Sequence, residues 1–248
     1  MTVMVLHPVS GAQTALCEED PHPPHGGREE RSPVNGAGRV ATTRGLAPWV
    51  LVALLLLAGA AFRLYFILGH SSYMQSDEAL VGLSTQHILT RGELPVFFWG
   101  EERSGALITY LVAPFFYVLG ASNLVFKIVT ATISLLLAYL LYLLARQVAG
   151  DRAGLFGLAL AVFCPPFYLM WSVHAAAEYL LVMVLGVAML LLCNALSSAE
   201  ALAPGEGSPV RRVVAYGALG LAAGVGFWIS PLVISFIAAV WAINFLRD

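Results

Sequence analysis

Charge is scarce in this chain. Asp, Glu, Lys and Arg make up 11% of its 248 residues, against roughly 25% in soluble domains. With 59% hydrophobic residues and a mean hydropathy of +0.80, an ordinary soluble domain is excluded and a polytopic membrane protein is indicated. The net charge of -2 gives no basis for nucleic-acid binding. Cysteine is also sparse. Cys17, Cys164 and Cys193 are far apart, with neither metal-ligand spacing nor a disulfide pattern, so they read as small apolar residues. A Gly-rich soluble nucleotide-binding domain is missing as well, and the N-terminus lacks the basic, apolar, small-residue order of a signal peptide.

What is present divides in two. Residues 1–47 are rich in Pro, Gly and mixed charge, as in Pro21-His22-Pro23-Pro24-His25 and Arg28-Glu29-Glu30-Arg31. Such a stretch buries too little apolar surface to offset chain entropy and is expected to be disordered; His22 and His25 read as part of that polar tail rather than as a metal pair. From residue 48 onward the chain is apolar. A bilayer core needs about 20 apolar residues in a helix, which predicts spans at 48–68, 123–144, 153–171 and 175–196. After the loop 197–212, the run 213–246 is too long for one helix and divides at Ser230-Pro231. Two short helices meeting near Trp228 are expected there, for an all-α fold of about six transmembrane helices.

The run 106–119 is apolar but short, interrupted by Pro114 and closed by Gly120. Lys and Arg concentrate in cytoplasmic loops. If 106–119 does not cross, Arg44, Arg146, Arg152, Arg211, Arg212 and Arg247 all fall on the cytoplasmic side, with the N-terminus. The run is therefore expected to be interfacial within an outer loop, 70–122. Phe97-Phe98-Trp99 and Phe115-Phe116-Tyr117 then form an aromatic belt.

The residues able to carry chemistry cluster on that outer side. Ser76 is expected to N-cap a helix reaching about Thr90, with Asp77 and Glu78 in its first turn and Leu80, Leu83, His87 and Ile88 lining a membrane-facing side. Carboxylates there suit the helix dipole, or form the polar centre of an active site. His174 and Glu178 stand four residues apart, the spacing of one helix face, and an ionisable pair near a span end is either self-satisfied or functional; two such ligands would also suit a metal. Arg63 within the first span either snorkels or meets a lipid phosphate, and Lys127 has the same two readings. Arg103 is the one loop charge worth testing.

An ordered series of short motifs carries a resemblance. Gln75-Ser76-Asp77-Glu78-Ala79, His87-Ile88-Leu89, Arg91-Gly92-Glu93-Leu94-Pro95, Ala113-Pro114-Phe115, Tyr142-Leu143-Leu144-Ala145-Arg146, Gly150-Asp151-Arg152-Ala153-Gly154, Pro165-Pro166-Phe167 and Gly224-Val225-Gly226-Phe227-Trp228-Ile229-Ser230-Pro231 together resemble the polyprenyl-phosphate-sugar-dependent GT-C glycosyltransferases. The nearest look is to bacterial relatives of protein O-mannosyltransferases and aminoarabinose transferase, including the RgtA/B/C/D-like group. The resemblance implies an inverting transferase that moves a sugar from a polyprenyl-phosphate donor to an acceptor at the outer membrane face. By position it makes Asp77 the catalytic base or metal ligand and Glu78 its partner. Arg63, Arg103, Lys127, His174 and Glu178 become candidates for the lipid phosphate and substrate, with a divalent cation (Mg or Mn) allowed at Asp77 and Glu178. Family members continue for several more helices, so the resemblance implies an N-terminal part. The competing expectation is a non-catalytic relative or a lipid- or solute-binding membrane transport module.

Overall fold

The structure, a computed structural model, describes residues 47–69, 74–174, 177–202 and 209–245. The expected disordered tail lies outside the described residues apart from Ala47, as do Cys17, Arg44, His70 and Arg247. Helices dominate. In chain order they are α1 (Pro48–Gly69), α2 (Ser76–Arg91), α3 (Leu107–Leu119), α4 (Asn123–Ala149), α5 (Asp151–Val162), α6 (Pro166–Val173), α7 (Ala177–Leu202), α8 (Pro209–Ile229) and α9 (Ile234–Phe245), with a 3-10 turn at Pro231–Val233 before α9.

Four of these helices are long and apolar enough to cross a membrane, and up to five spans result if the bent pair α5–α6 counts as one. This makes the chain an integral membrane protein with fewer candidate spans than the six expected. The difference lies at the C-terminal end. Instead of two short helices, α8 has 21 residues and α9 only 12. The break does fall at Ser230-Pro231, where Ser230 is extended and Pro231 opens the 3-10 turn. α3 has 13 residues, about 20 Å of helix, shorter than a bilayer core of about 30 Å. The lipid-compatible surface is explicit on α1, where Leu54, Leu57, Leu64, Tyr65 and Leu68 are all exposed.

α4 is the hub, packing against α1, α5, α6 and α7. It starts cleanly because Ser122 Oγ accepts from Val125 N at 3.2 Å, satisfying one of the first-turn donors that a helix leaves unpaired. The main core joins α3, α4, α7, α8 and α9 through Val112, Phe116, Phe126, Leu181, Met189, Ile229 and Val240. α7 and α9 approach closely because Gly186 sits under the Phe236 ring; a Cβ there would be 2.3 Å from the ring.

The expected single span over 153–171 is two helices bent by 72°. Pro165 and Pro166 cause this. Neither has an N–H for the i→i−4 ladder, and the residue before a proline is pushed from helical to extended backbone. The carbonyl of Ala161 would normally accept from residue 165, which is proline. Arg63 supplies a substitute: its Nη2 lies 3.4 Å from Ala161 O. Its Nε donates to Ser134 Oγ at 2.7 Å and its Nη1 to Gly59 O at 3.3 Å. Arg63 is therefore fully buried rather than snorkelling, and it ties α1 to α4 and to the broken end of α5.

A hairpin interrupts the otherwise helical chain. Strands β1 (Phe97–Phe98) and β2 (Glu101–Gly105) pair antiparallel, with an irregular register, around Gly100 at φ +89°. The expected aromatic belt is divided accordingly: Phe97 and Phe98 form β1, Trp99 meets the His87 ring edge-on at 4.8 Å, and Phe116 is buried while Tyr117 is exposed. The hairpin is fixed to α8. Trp228 Nε1 donates to Val96 O at 3.1 Å, and Gly105 lies so close that a Cβ would be 2.6 Å from Trp228 O. Tyr110 OH also donates to Pro95 O at 2.9 Å.

Candidate functional site

The site begins at the N-terminus of α2. Its cap is Gln75, not Ser76. Gln75 has extended backbone (φ -84°, ψ 161°), and Ser76 is the first helical residue. Glu78 occupies the third helical position and reaches back so that its Oε2 accepts from Gln75 N at 2.9 Å, half of a capping box. This bond turns Glu78 inward, to 2% exposure. Asp77, one residue earlier and about 100° around the helix, is exposed, with Ser76 Oγ donating to its Oδ1 at 3.3 Å.

The buried face of α2 is Glu78, Val81, Ser84 and Thr85, spaced three, six and seven residues on from Glu78. On the side expected to face the membrane, Leu83 is exposed and Leu80, His87 and Ile88 are half-buried. α3 selects the face, because Thr85 packs against it and its Oγ1 reaches Thr109 O at 3.5 Å while donating to Val81 O at 2.7 Å.

His174 does not share a helix face with Glu178. α6 ends at Val173, and His174 has extended backbone (φ -113°, ψ 175°), so the four-residue spacing spans a break before α7. His174 faces α2 instead. Its Nδ1 lies 3.1 Å from Glu78 Oε1, across 96 residues of sequence, and a protonated Nδ1 donates there. Glu78 thus holds its own helix cap with one oxygen and the α6–α7 break with the other.

His174 and Gln75 line an apolar cavity of about 720 Å³. Phe62, Phe66 and Ile67 of α1, Leu169, Met170 and Val173 of α6, and Cys164 between α5 and α6 provide its carbon walls. Lys127 of α4, 1% exposed, adds a cation to them. Glu78 lines a separate, smaller cavity of about 370 Å³ with Met74, Gly82, Phe116 and Phe126.

Arg103 and Glu178 belong elsewhere. They line a polar cavity of about 740 Å³ under the hairpin, together with Gly100, Ser104, Tyr179, Ser230, Pro231 and Leu232. The Tyr179 ring continues an aromatic row, 4.7 Å from Trp171, which is in turn 5.2 Å from Phe167. Seven candidate residues therefore fall into four settings. His174 and Lys127 line the apolar cavity, with Glu78 touching His174 from the smaller one, and Arg103 and Glu178 share the polar one. Asp77 is exposed beside Glu78, and Arg63 is engaged in helix packing.

Among the described residues, no group of three or more His, Cys, Asp and Glu side chains could hold a metal ion. Asp77 and Glu178, the pair considered for a divalent cation, do not share the lining of any of these three cavities, and no step below passes through a metal. Sequence reasoning missed Gln75, Ser104, Tyr179 and Ser230. Gln75 was findable from its capping spacing to Glu78, whereas Ser104 and Tyr179 gave no signal beyond adjacency to Arg103 and Glu178.

Comparison with known proteins adds no family: no family model, curated protein or solved structure matches this chain.

Proposed function

We propose that this chain is a membrane glycosyltransferase module that takes a sugar from a polyprenyl-phosphate carrier, with the carrier seated in the apolar cavity. One observation carries the reading: a buried lysine and a histidine in contact with Glu78 line a cavity whose other walls are Gln75, Cys164, Pro166 and the carbon side chains of Phe, Ile, Leu, Met and Val. Apolar walls suit an isoprenoid chain, and a buried cation suits the phosphate that ends it. In this reading Asp77 accepts the proton of an acceptor hydroxyl. The acceptor oxygen then bonds to the anomeric carbon as the carbon–oxygen bond to phosphate breaks, with inversion, and the lipid phosphate leaves with the electron pair. Lys127 offsets its charge. Glu78 is a positioning residue, acting through His174 and the α2 cap. Arg146 lies in the last turn of α4, Arg152 in the first turn of α5 and Arg212 near the start of α8; the concentration of Lys and Arg at cytoplasmic ends and loops supports a bacterial plasma-membrane protein with these ends and the N-terminus inside, and α2 outside.

A second reading is favoured by the exposure of Asp77, which lines none of the three cavities: a relative that binds lipid-linked sugar without turning it over. One experiment separates the readings. In proteoliposomes supplied with a polyprenyl-phosphate sugar, transfer is measured by release of free polyprenyl phosphate and binding by native mass spectrometry. The transferase reading expects Asp77→Asn to abolish transfer while retaining binding, and Lys127→Met to weaken binding about tenfold or more. Binding without transfer by the unmodified chain favours the non-catalytic reading. Absence of binding sinks both.

A further inference from the structure

We propose that the polar cavity under the hairpin is a subsite for a neutral, hydroxyl-rich ligand, a carbohydrate chain, separate from the apolar cavity. Three chain segments from distant parts of the sequence converge on it: β2 with Arg103 and Ser104, the start of α7 with Glu178 and Tyr179, and the break after α8 with Ser230 and Pro231. The hairpin is held over the cavity by the Trp228–Val96 hydrogen bond and the close packing of Gly105 on Trp228, so the site has a fixed roof.

The lining chemistry selects the ligand class. A guanidinium only donates and a carboxylate only accepts, while the hydroxyls of Ser104, Ser230 and Tyr179 do both. A ligand seated among these groups meets donors and acceptors side by side, which suits one whose own groups do both, as each sugar hydroxyl does. Arg103 and Glu178 have opposite charges, so the cavity favours a ligand without net charge; a phosphate or carboxylate group would meet Glu178 as well as Arg103. The Tyr179 ring and Pro231 offer flat apolar surfaces of the kind that cover the C–H face of a pyranose. A volume of about 740 Å³ falls in the range of about 300–1,000 Å³ typical of ligand sites. The inference rests on these residues and not on the lipid-carrier reading, so either stands if the other fails.

The test is saturation-transfer NMR on the full chain in phosphatidylcholine nanodiscs, which avoids sugar-headed detergents. The probe is a mixture of maltotriose, mannotriose, galactotriose and arabinotriose, with glycylglycine and inorganic phosphate as separate arms. Transfer to ring protons of at least one oligosaccharide is expected. Glu178→Gln and Arg103→Ala are each expected to weaken it about tenfold, while Ser122→Ala leaves it unchanged. Tyr179→Phe, which keeps the ring, is expected to bind, and Tyr179→Leu to bind more weakly. Circular dichroism checks that each variant is folded; if Arg103→Ala is not, Glu178→Gln and the Tyr179 pair still decide. The proposal is overturned if no oligosaccharide shows transfer, if the signal survives Glu178→Gln and Tyr179→Leu, if Ser122→Ala removes it, or if only glycylglycine or phosphate binds.

Discussion

The two large cavities are nearly equal in volume, about 720 and 740 Å³, and opposite in chemistry. The first is enclosed by helix side chains from α1, α4 and α6, and its polar groups are a buried lysine, a half-buried histidine and the Gln75 amide. The second is assembled where elements end, from a hairpin strand, a helix start and a helix break, with a charge of each sign in its wall. Helix interiors satisfy their own backbone and can present pure carbon surface, whereas chain ends carry unpaired backbone groups and polar side chains. The contrast is therefore built in by secondary structure. Amphiphilic substrates with an apolar tail and a hydroxylated partner would need both kinds of site.

The largest expected effect comes at Arg63, which supports the apolar cavity alone. Arg63→Ala removes its bonds to Ser134, Gly59 and Ala161 and leaves a void, for a loss of about 3 kcal/mol read as a lower thermal midpoint in nanodiscs. Pro165→Ala in the same chain should restore part of that loss, because residue 165 then has an N–H for Ala161 O; a double-mutant cycle showing simple additivity would contradict this coupling.

A smaller effect, confined to the other cavity, is expected from Gly105→Ala. The added Cβ meets Trp228 O at 2.6 Å, and relieving that overlap costs about 1–3 kcal/mol. Hydrogen exchange of the hairpin amides should rise while those of α1 and α4 stay protected. Uniform deprotection would show that the two regions are not separable. The smallest is Ser122→Ala, which removes the α4 cap for about 1 kcal/mol. The measurement is urea unfolding, and ligand binding at both large cavities should be unchanged, since Ser122 lines neither.

The apolar runs made most of the helices legible, because bilayer thickness translates directly into run length, and proline and glycine marked the breaks at Ser230-Pro231 and Gly120. The acidic pair was legible as a helix start. Its division of labour was not: which carboxylate turns inward depends on the face that α3 covers, and the apolar pattern of α2 speaks only of the side turned to the membrane. The pairing of His174 with Glu78 was likewise hidden, since the nearer acid, Glu178, stands at an attractive spacing that only the end of α6 at Val173 disqualifies. Pro165-Pro166 was visible as a motif, but the bend it produces depends on a replacement donor 98 positions away in the chain, at Arg63.

That dependence extends to how the chain is made. α1 leaves the ribosome before α4 and α5, carrying a cation whose burial in the bilayer costs up to about 2.5–3.5 kcal/mol on insertion scales, long before Ser134 and Ala161 exist. Early in synthesis Arg63 must therefore reach toward an aqueous boundary, and it withdraws once α4 and α5 arrive. Biogenesis would then be a sequence in which α1 waits, partly inserted or tilted, for α4 and α5. A thiol at position 63 should react with a water-borne maleimide in arrested chains ending before residue 120 and become unreactive in the full chain; reactivity that is the same in both would rule out the retraction.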